Sequence, residues 1–394
     1  MKINLLVLND FTNDARVHKE AKSLAQAGHK VTVVALWRAG LEVDEQHARY
    51  HVHRVHLATR AWRGSLIAPV VKYLEFTYKF RDWAKITPAD VYHANDANTL
   101  PAAWLASRQF GSALVYDAHE LETGRDFGNS RLSRIYPLIW AWPEKLFIRS
   151  ADAVITVSSG IAEEISRIYH IPVPDVVLNT PEQIQLPKVR PNKIREELGI
   201  PAEINIALYQ GHIYSGRGLE NFFYAIQSLK NVCAVALGEG PMLESFRLQV
   251  NQGDWKRVYL PGKVPLDKLL NYTASADVGL VLIENTCLSH YYSLPNKLFE
   301  YMHAGIPVIG SDLPEISRMI LENKIGQVVN PNKPDEISKS IQNILSDDST
   351  YEAYVANCVQ ASHSYNWENE SNKLVGLYLK LEQRSNSAHI REKK

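Results

Sequence analysis

Cysteine is scarce: Cys233, Cys287 and Cys358 are the only three in 394 residues. They lie far apart and none falls in a Cys-x-x-Cys pair. That argues against a disulfide framework or a zinc cluster and fits a reducing compartment. Long apolar runs are missing too. The opening "MKINLLVLND" stops at Asn9, too soon for a secretory leader, and nothing approaches the roughly 20 residues that cross a bilayer. Charge of one sign is also lacking, since Lys plus Arg and Asp plus Glu number 43 each. A neutral chain gives no case for nucleic acid as a partner. The expectation is a cytoplasmic protein, in contact with a membrane at most peripherally, at its inner face.

Several reactive motifs are absent as well. No Gly-x-Gly-x-x-Gly follows the first apolar strand, and no P-loop occurs. Gly-x-Ser-x-Gly and His-Glu-x-x-His are missing. No two aspartates stand two apart, so there is no Asp-x-Asp to hold a divalent metal against a diphosphate. These gaps disfavour dehydrogenase, nucleotidase, hydrolase and metal-dependent nucleotide-sugar chemistry. The sequence points to no metal site and no bound cofactor.

What is present is alternation. Short apolar, β-branched runs take turns with amphipathic helical stretches: "INLLVL", then a helical pattern over 14–27 closed by Gly28, then "KVTVVAL". "ADVYHAND", "SALVYDAHE", "ADAVITVS" and "DVVLN" continue the series to Asn179. The order predicts a parallel, doubly wound α/β sheet with ligands at the strand C-terminal ends. The stretch "TPEQIQLPKVRPNKIREELGIP" holds four of the 19 prolines and many charges, and reads as a linker over 181–200. The alternation then restarts at "INIALYQG". The expected plan is a domain over 1–180, a second over 201–366, and a last helix over about 367–385 returning to the first. Two Rossmann-like domains would face each other across a cleft.

Three loops of the second half end apolar strands with glycine. In "LYQGHIYSGRGLENFFYAI" (208–226), Gly211, Gly216 and Gly218 free backbone N–H groups at a helix N-terminus, and Arg217 adds a full charge. "GEGP" places Gly238 at the next strand end, and "LPGKVP" offers Lys263 as a charge partner. In "SLPNKLFEYMHAGIPVIGSD" (293–312), Pro295 and Gly305 bracket a helix of about 295–304. Asn296, Lys297 and Glu300 share one face of it. A lysine at the positive end of a helix is unfavourable unless an anion sits there. A glutamate one turn on can accept from a diol.

Together these stretches resemble the nucleotide-sugar half of a GT-B glycosyltransferase, most closely the retaining family 4 enzymes of bacterial polysaccharide synthesis. "NDARVHKEAKSLAQAGHKVTVVA", "VYDAHEL" and "SADAVITVSSGI" are similar to the N-terminal half of that family, and "YNWENESNKLVGLYLKL" to its final helix. The resemblance implies a metal-independent hexosyltransferase. Its donor is a nucleoside diphosphate sugar. Its acceptor is a hydroxyl of a growing glycan or lipid-linked saccharide. Arg217 and Lys297 would hold the diphosphate, helped by backbone near Gly211 and Gly218. Glu300 would bind the ribose, and Gly238 would border the base. His119 of "DAHE" would contact the donor sugar near the reacting carbon. Asp14 and Arg16 would lie on the loop after the first strand, on the acceptor side.

Two departures stand out. The family's glutamate pair has seven residues between its members, and that spacing counted back from Glu300 falls on Tyr292. The acid that normally reads the sugar is therefore missing; Glu284 is near but has no assigned place. The first loop reads "NDFTNDARV" where a double glycine is usual. His93 competes with His119 and is read as structural. His18, His51, His53 and His56 show no metal-ligand spacing. Two stretches, 60–85 and 135–149, mix tryptophan and other aromatics with Lys and Arg, as a membrane interface or a lipid-linked acceptor would require. Two other readings stay open: a nucleotide-sugar epimerase on the same fold, and a nucleotide-binding subunit that has lost catalysis.

Overall fold

A computed structural model describes residues 1–62, 68–124, 136–183 and 190–392. Contacts divide the chain into two compact units, Met1–Asn179 with Glu370–Lys394, and Thr180–Asn369. In the first unit eight strands form one sheet: β1 (Lys2–Leu6), β2 (Lys30–Leu36), β3 (Asp44–Gln46), β4 (His51–Val55), β5 (Val91–Asn95), β6 (Ala113–Ala118), β7 (Ala153–Thr156) and β8 (Asp175–Val176). Their order is β3-β4-β2-β1-β5-β6-β7-β8, and only β3 runs antiparallel to its neighbour. β1 and β5 are buried almost end to end, as strands of a parallel sheet covered on both faces are.

The helix Ala15–Gln26 starts where the Asp14 side chain accepts the Val17 N–H. Val17, Ala21 and Leu24 are buried. The final helix, Trp367–Glu392, supplies Leu374, Leu377, Tyr378 and Leu381 to buried positions. It joins the first unit through Tyr378, whose hydroxyl pairs with His93 Nδ1 at 2.7 Å, and through Glu370, which accepts the Leu178 N–H at 2.9 Å.

The second unit holds six parallel strands: β9 (Asn205–Gln210), β10 (Val232–Leu237), β11 (Val258–Gly262), β12 (Val278–Val281), β13 (Val308–Ser311) and β14 (Gly326–Val329). Their order is β11-β10-β9-β12-β13-β14, so the order reverses between β9 and β12. Crevices for ligands open at such a switch point.

The segment expected as a linker behaves differently. Residues 184–189 lie outside the described residues. Beyond them Lys193–Leu198 forms a helix, and Arg190 and Arg195 both bind Asp277, at 3.1 and 2.8 Å. Two of its charges converge on one acid and tie the segment to the second unit. Among the described residues no helix is long and apolar enough to cross a membrane.

The candidate donor and histidine sites

In the second unit the loops after β9, β10 and β11 are stitched together. Gly211 donates to Leu237 O, Gly238 to Gly262 O, and Ile213 to Glu239 O, each at 2.9 Å. Two glycines are required here. A Cβ on Gly238 would stand 1.8 Å from the Gly211 carbonyl, and one on Gly218 would stand 2.6 Å from the Leu282 carbonyl. Gly218 also has φ +64, the left-handed conformation that favours glycine. It caps the helix Leu219–Gln227. The glycine at 238 thus serves the close passage of two chain segments.

The helix Asn296–Ala304 begins after Pro295 and ends at left-handed Gly305. Lys297 in its first turn is 9% exposed. Its Nζ sits 3.6 Å from the centre of the Tyr209 ring, and the Gly211 backbone packs beside it. No hydrogen bond or ion pair to this amine occurs among the described residues. Burial pushes its pKa well below the ordinary value, the Arg217 cation pushes the same way, and Glu300 only partly opposes them. Arg217 lies over the Tyr214 ring, 4.4 Å from its centre. Glu300 is half-buried and accepts a hydrogen bond from the Gln210 side-chain amide. The arrangement is a cationic, glycine-lined recess with one oriented carboxylate, suited to an anion beside a hydroxyl-bearing group.

The other expected residues are spread around it. Asn296 opens the helix and is exposed. Lys263 is half-exposed and paired with Glu239 at 3.0 Å. Glu284 has a place after all: its carboxylate accepts the Gly218 N–H at 3.1 Å. Tyr292 follows the short helix Leu288–Tyr291 and packs edge-on to Tyr291.

In the first unit a charged network lies at the C-terminal ends of β5 and β6. His119 faces a carboxylate with each ring nitrogen, Nε2 at 3.3 Å from Asp117 and Nδ1 at 3.4 Å from Asp96. Burial disfavours its charge, but the two acids outweigh burial and lift its pKa to about 10. It is an imidazolium at neutral pH. Asp96 itself has φ +65, an uncommon conformation for a side-chain-bearing residue.

The expected loop position of Arg16 is incorrect. It lies in the first turn of Ala15–Gln26, is 4% exposed, and binds Asp117 at 2.8 Å and Glu20 at 3.0 Å. Its Nη1 also donates to Val177 O at 2.9 Å. The cause is Asp14, which caps the helix and so draws Arg16 inward to the buried acid. Asp14 is committed as well, accepting from Val17 N–H and from the Asn9 amide. Arg16 is therefore no free loop group, while Asp14 stands on the loop before the helix and is half-buried.

His93 is fully buried, and burial holds its pKa down at about 4. Its structural reading agrees with the bond to Tyr378. Glu20, His93 and Asp117 bring ligand atoms within 4.8 Å of one another. The Arg16 guanidinium already pairs with both acids, however, and would repel a cation. Burial pushes the Glu20 carboxyl well up despite Arg16, whereas Arg16 and His119 hold Asp117 well down despite burial.

The aromatic stretches divide. Phe76 and Phe80 are fully buried core, whereas Leu74, Tyr78, Trp142 and Leu146 are exposed. Residues 63–67 and 135 lie outside the described residues. Sequence reading missed Gln210, Thr273 and Tyr209, although a lone Gln closing the apolar strand "INIALYQ" was a visible signal.

Two parallel Rossmann-like units, with a final helix that belongs to the first, are the architecture of the GT-B glycosyltransferases. Residues 14–181 match the glycosyl transferase 4-like domain and residues 191–360 match the glycosyl transferases group 1 domain, and the chain belongs to this group of GT-B glycosyltransferases. It is 24% identical over 314 residues to alpha-maltose-1-phosphate synthase of Mycolicibacterium smegmatis, covering 74% of this chain and 79% of that one. Its fold is similar to that of sucrose-phosphate synthase from Thermosynechococcus elongatus, with TM-score 0.83 and 20% identity over 98% of this chain and all of that one. It is also similar to Anabaena HepE in complex with UDP-glucose, with TM-score 0.74 and 15% identity over 96% of this chain and 100% of the other.

Proposed function

We propose that this glycosyltransferase is retaining and metal-independent, and moves a hexose-type sugar from a nucleoside diphosphate sugar to a hydroxyl of a growing glycan or lipid-linked saccharide in cell-surface polysaccharide synthesis. The observation that carries this reading is Lys297, a buried amine with no hydrogen bond or ion pair in the described structure, seated between the Tyr209 face and the Gly211 backbone. A diphosphate would supply its missing counter-charge. Negative charge grows on that leaving group as the sugar–phosphate bond breaks, and Lys297 and Arg217 would stabilise it by charges already in place. No metal is needed for that compensation. Glu300 would take the ribose hydroxyls. The similarity to HepE, whose structure contains UDP-glucose, supports a nucleotide-sugar donor. The exposed Leu74, Tyr78, Trp142 and Leu146 favour a peripheral membrane contact on the first unit, at the inner face of the cytoplasmic membrane.

The test is transfer from UDP-, ADP- and GDP-sugars to saccharide acceptors in excess EDTA, with the product anomer read by NMR. Turnover in EDTA with the donor's anomeric configuration kept is expected. Reversible loss of activity on chelation refutes the metal-independent reading. Binding without turnover on any acceptor favours a nucleotide-binding subunit, the reading that Tyr292 keeps in view.

A further inference from the structure

We infer that Gln210 and Thr273 are positioning residues that set Glu300 for a ribose diol, so that discrimination between ribose and deoxyribose nucleotides originates two side chains behind the contact itself. The inference rests on the reading of Glu300 as the ribose ligand. Gln210 ends β9 and is 2% exposed, and Thr273, at the end of the helix Leu266–Thr273, is fully buried. A buried primary amide is costly unless its groups are paired. Here both ends are. The Thr273 hydroxyl lies 2.7 Å from Gln210 Oε1, and Gln210 Nε2 donates to Glu300 Oε2.

The orientation of the amide is determined by Glu300, because the Thr273 hydroxyl, which also lies 2.9 Å from Leu269 O, can donate or accept. Turned over, it would put its carbonyl oxygen against the Glu300 carboxylate. The backbone of the same residue grips the next position, with the Gln210 N–H 3.2 Å from the Tyr301 hydroxyl. That hydroxyl lies 3.2 Å from Leu208 O and 3.3 Å from Leu280 O. Residues 300 and 301 are thus both anchored to the end of β9. Two hydroxyls on adjacent carbons can be accepted together only by a carboxylate whose plane is held still. A neutral amide does this holding without neutralising the charge, as a lysine or arginine at 210 would.

Calorimetry with UDP, ADP and GDP against their 2′-deoxy counterparts tests the chain. Wild type should prefer the ribose form of the base it binds by roughly 10–100-fold. Gln210→Leu should reduce that preference to within about threefold, through weaker ribose binding only. Affinity for the deoxy form should stay at its wild-type level, which also reports intact folding. Thr273→Val should move the ratio part of the way, and Thr273→Ser should restore it. A Gln210→Leu protein that keeps the wild-type ratio overturns the inference, and so does one that loses both nucleotides equally. Wild type that binds nucleotides without preferring ribose overturns the reading of Glu300 itself, and the inference with it.

Discussion

Lys297→Met separates binding from stability in one residue. The side chain is 9% exposed, its amine has no hydrogen bond or ion pair among the described residues, only an aromatic face, and a guanidinium lies nearby. Burying an unpaired polar group costs about 1–3 kcal/mol, and the cation–π contact returns about 0.5–2 kcal/mol. Methionine keeps the stem packed and removes the amine. In the absence of nucleotide the variant should therefore be more stable, by about 1 kcal/mol, which is roughly 2–4 °C in a unit of this size. With nucleotide the sign reverses. A hydrogen bond from a charged group is worth about 1.5–3 kcal/mol, so affinity for the diphosphate should fall roughly 10- to 150-fold.

The pH dependence follows from the direction of the shift. The folded pKa lies below the ordinary 10.5, so the penalty is absent above 10.5 and grows as pH falls toward the folded value. Its slope is at most about 1.4 kcal/mol per pH unit. The stability advantage of the variant should accordingly shrink in alkali. Thermal melts at several pH values, with and without a nucleoside diphosphate, measure all three effects. A variant less stable than wild type without nucleotide at neutral pH, or one that binds nucleotide equally well, refutes the reasoning.

Two other predictions use the first unit. The His119 pKa is raised from 6.5 to about 10, so its stabilisation is complete below pH 6.5 and is lost as pH rises through about 10. The stability difference between wild type and His119→Gln in urea should decline across that window, and parallel curves would deny the two-acid clamp. The double change Leu74→Glu, Tyr78→Glu should lower co-sedimentation with anionic phosphatidylglycerol vesicles by about tenfold or more, given the apolar area lost. Equal sedimentation of both proteins would remove the helix Ala68–Ile86 from any membrane contact.

The fold was legible because parallel strands buried on both faces carry a signal that is local and continuous. Helix ends were readable for the same reason: Asp14, Pro295 and Gly305 act within a turn of themselves. The strand-end location of Gly211, Gly218 and Lys297 followed from that alternation. What escaped depends on distant pairing. Arg16 meets an acid 101 positions away, and Gln210 meets residues 63 and 90 positions away. No pattern near Arg16 shows that Asp117 will draw it inward. The stretch over 181–200 misled for a related reason, since its arginines gain their meaning only from Asp277.

The bond between His93 and Tyr378 spans 285 positions. The first unit is therefore begun early in synthesis and completed last, after the whole second unit has left the ribosome. Until Trp367–Glu392 emerges, the sites that receive Leu374, Leu377, Tyr378 and Leu381 stand uncovered and His93 lacks its hydroxyl partner. A chain broken off between β14 and that helix carries a complete set of β9–β14 strands and an unsealed β1–β8 sheet. Full-length translation is in this sense the condition for a closed first core.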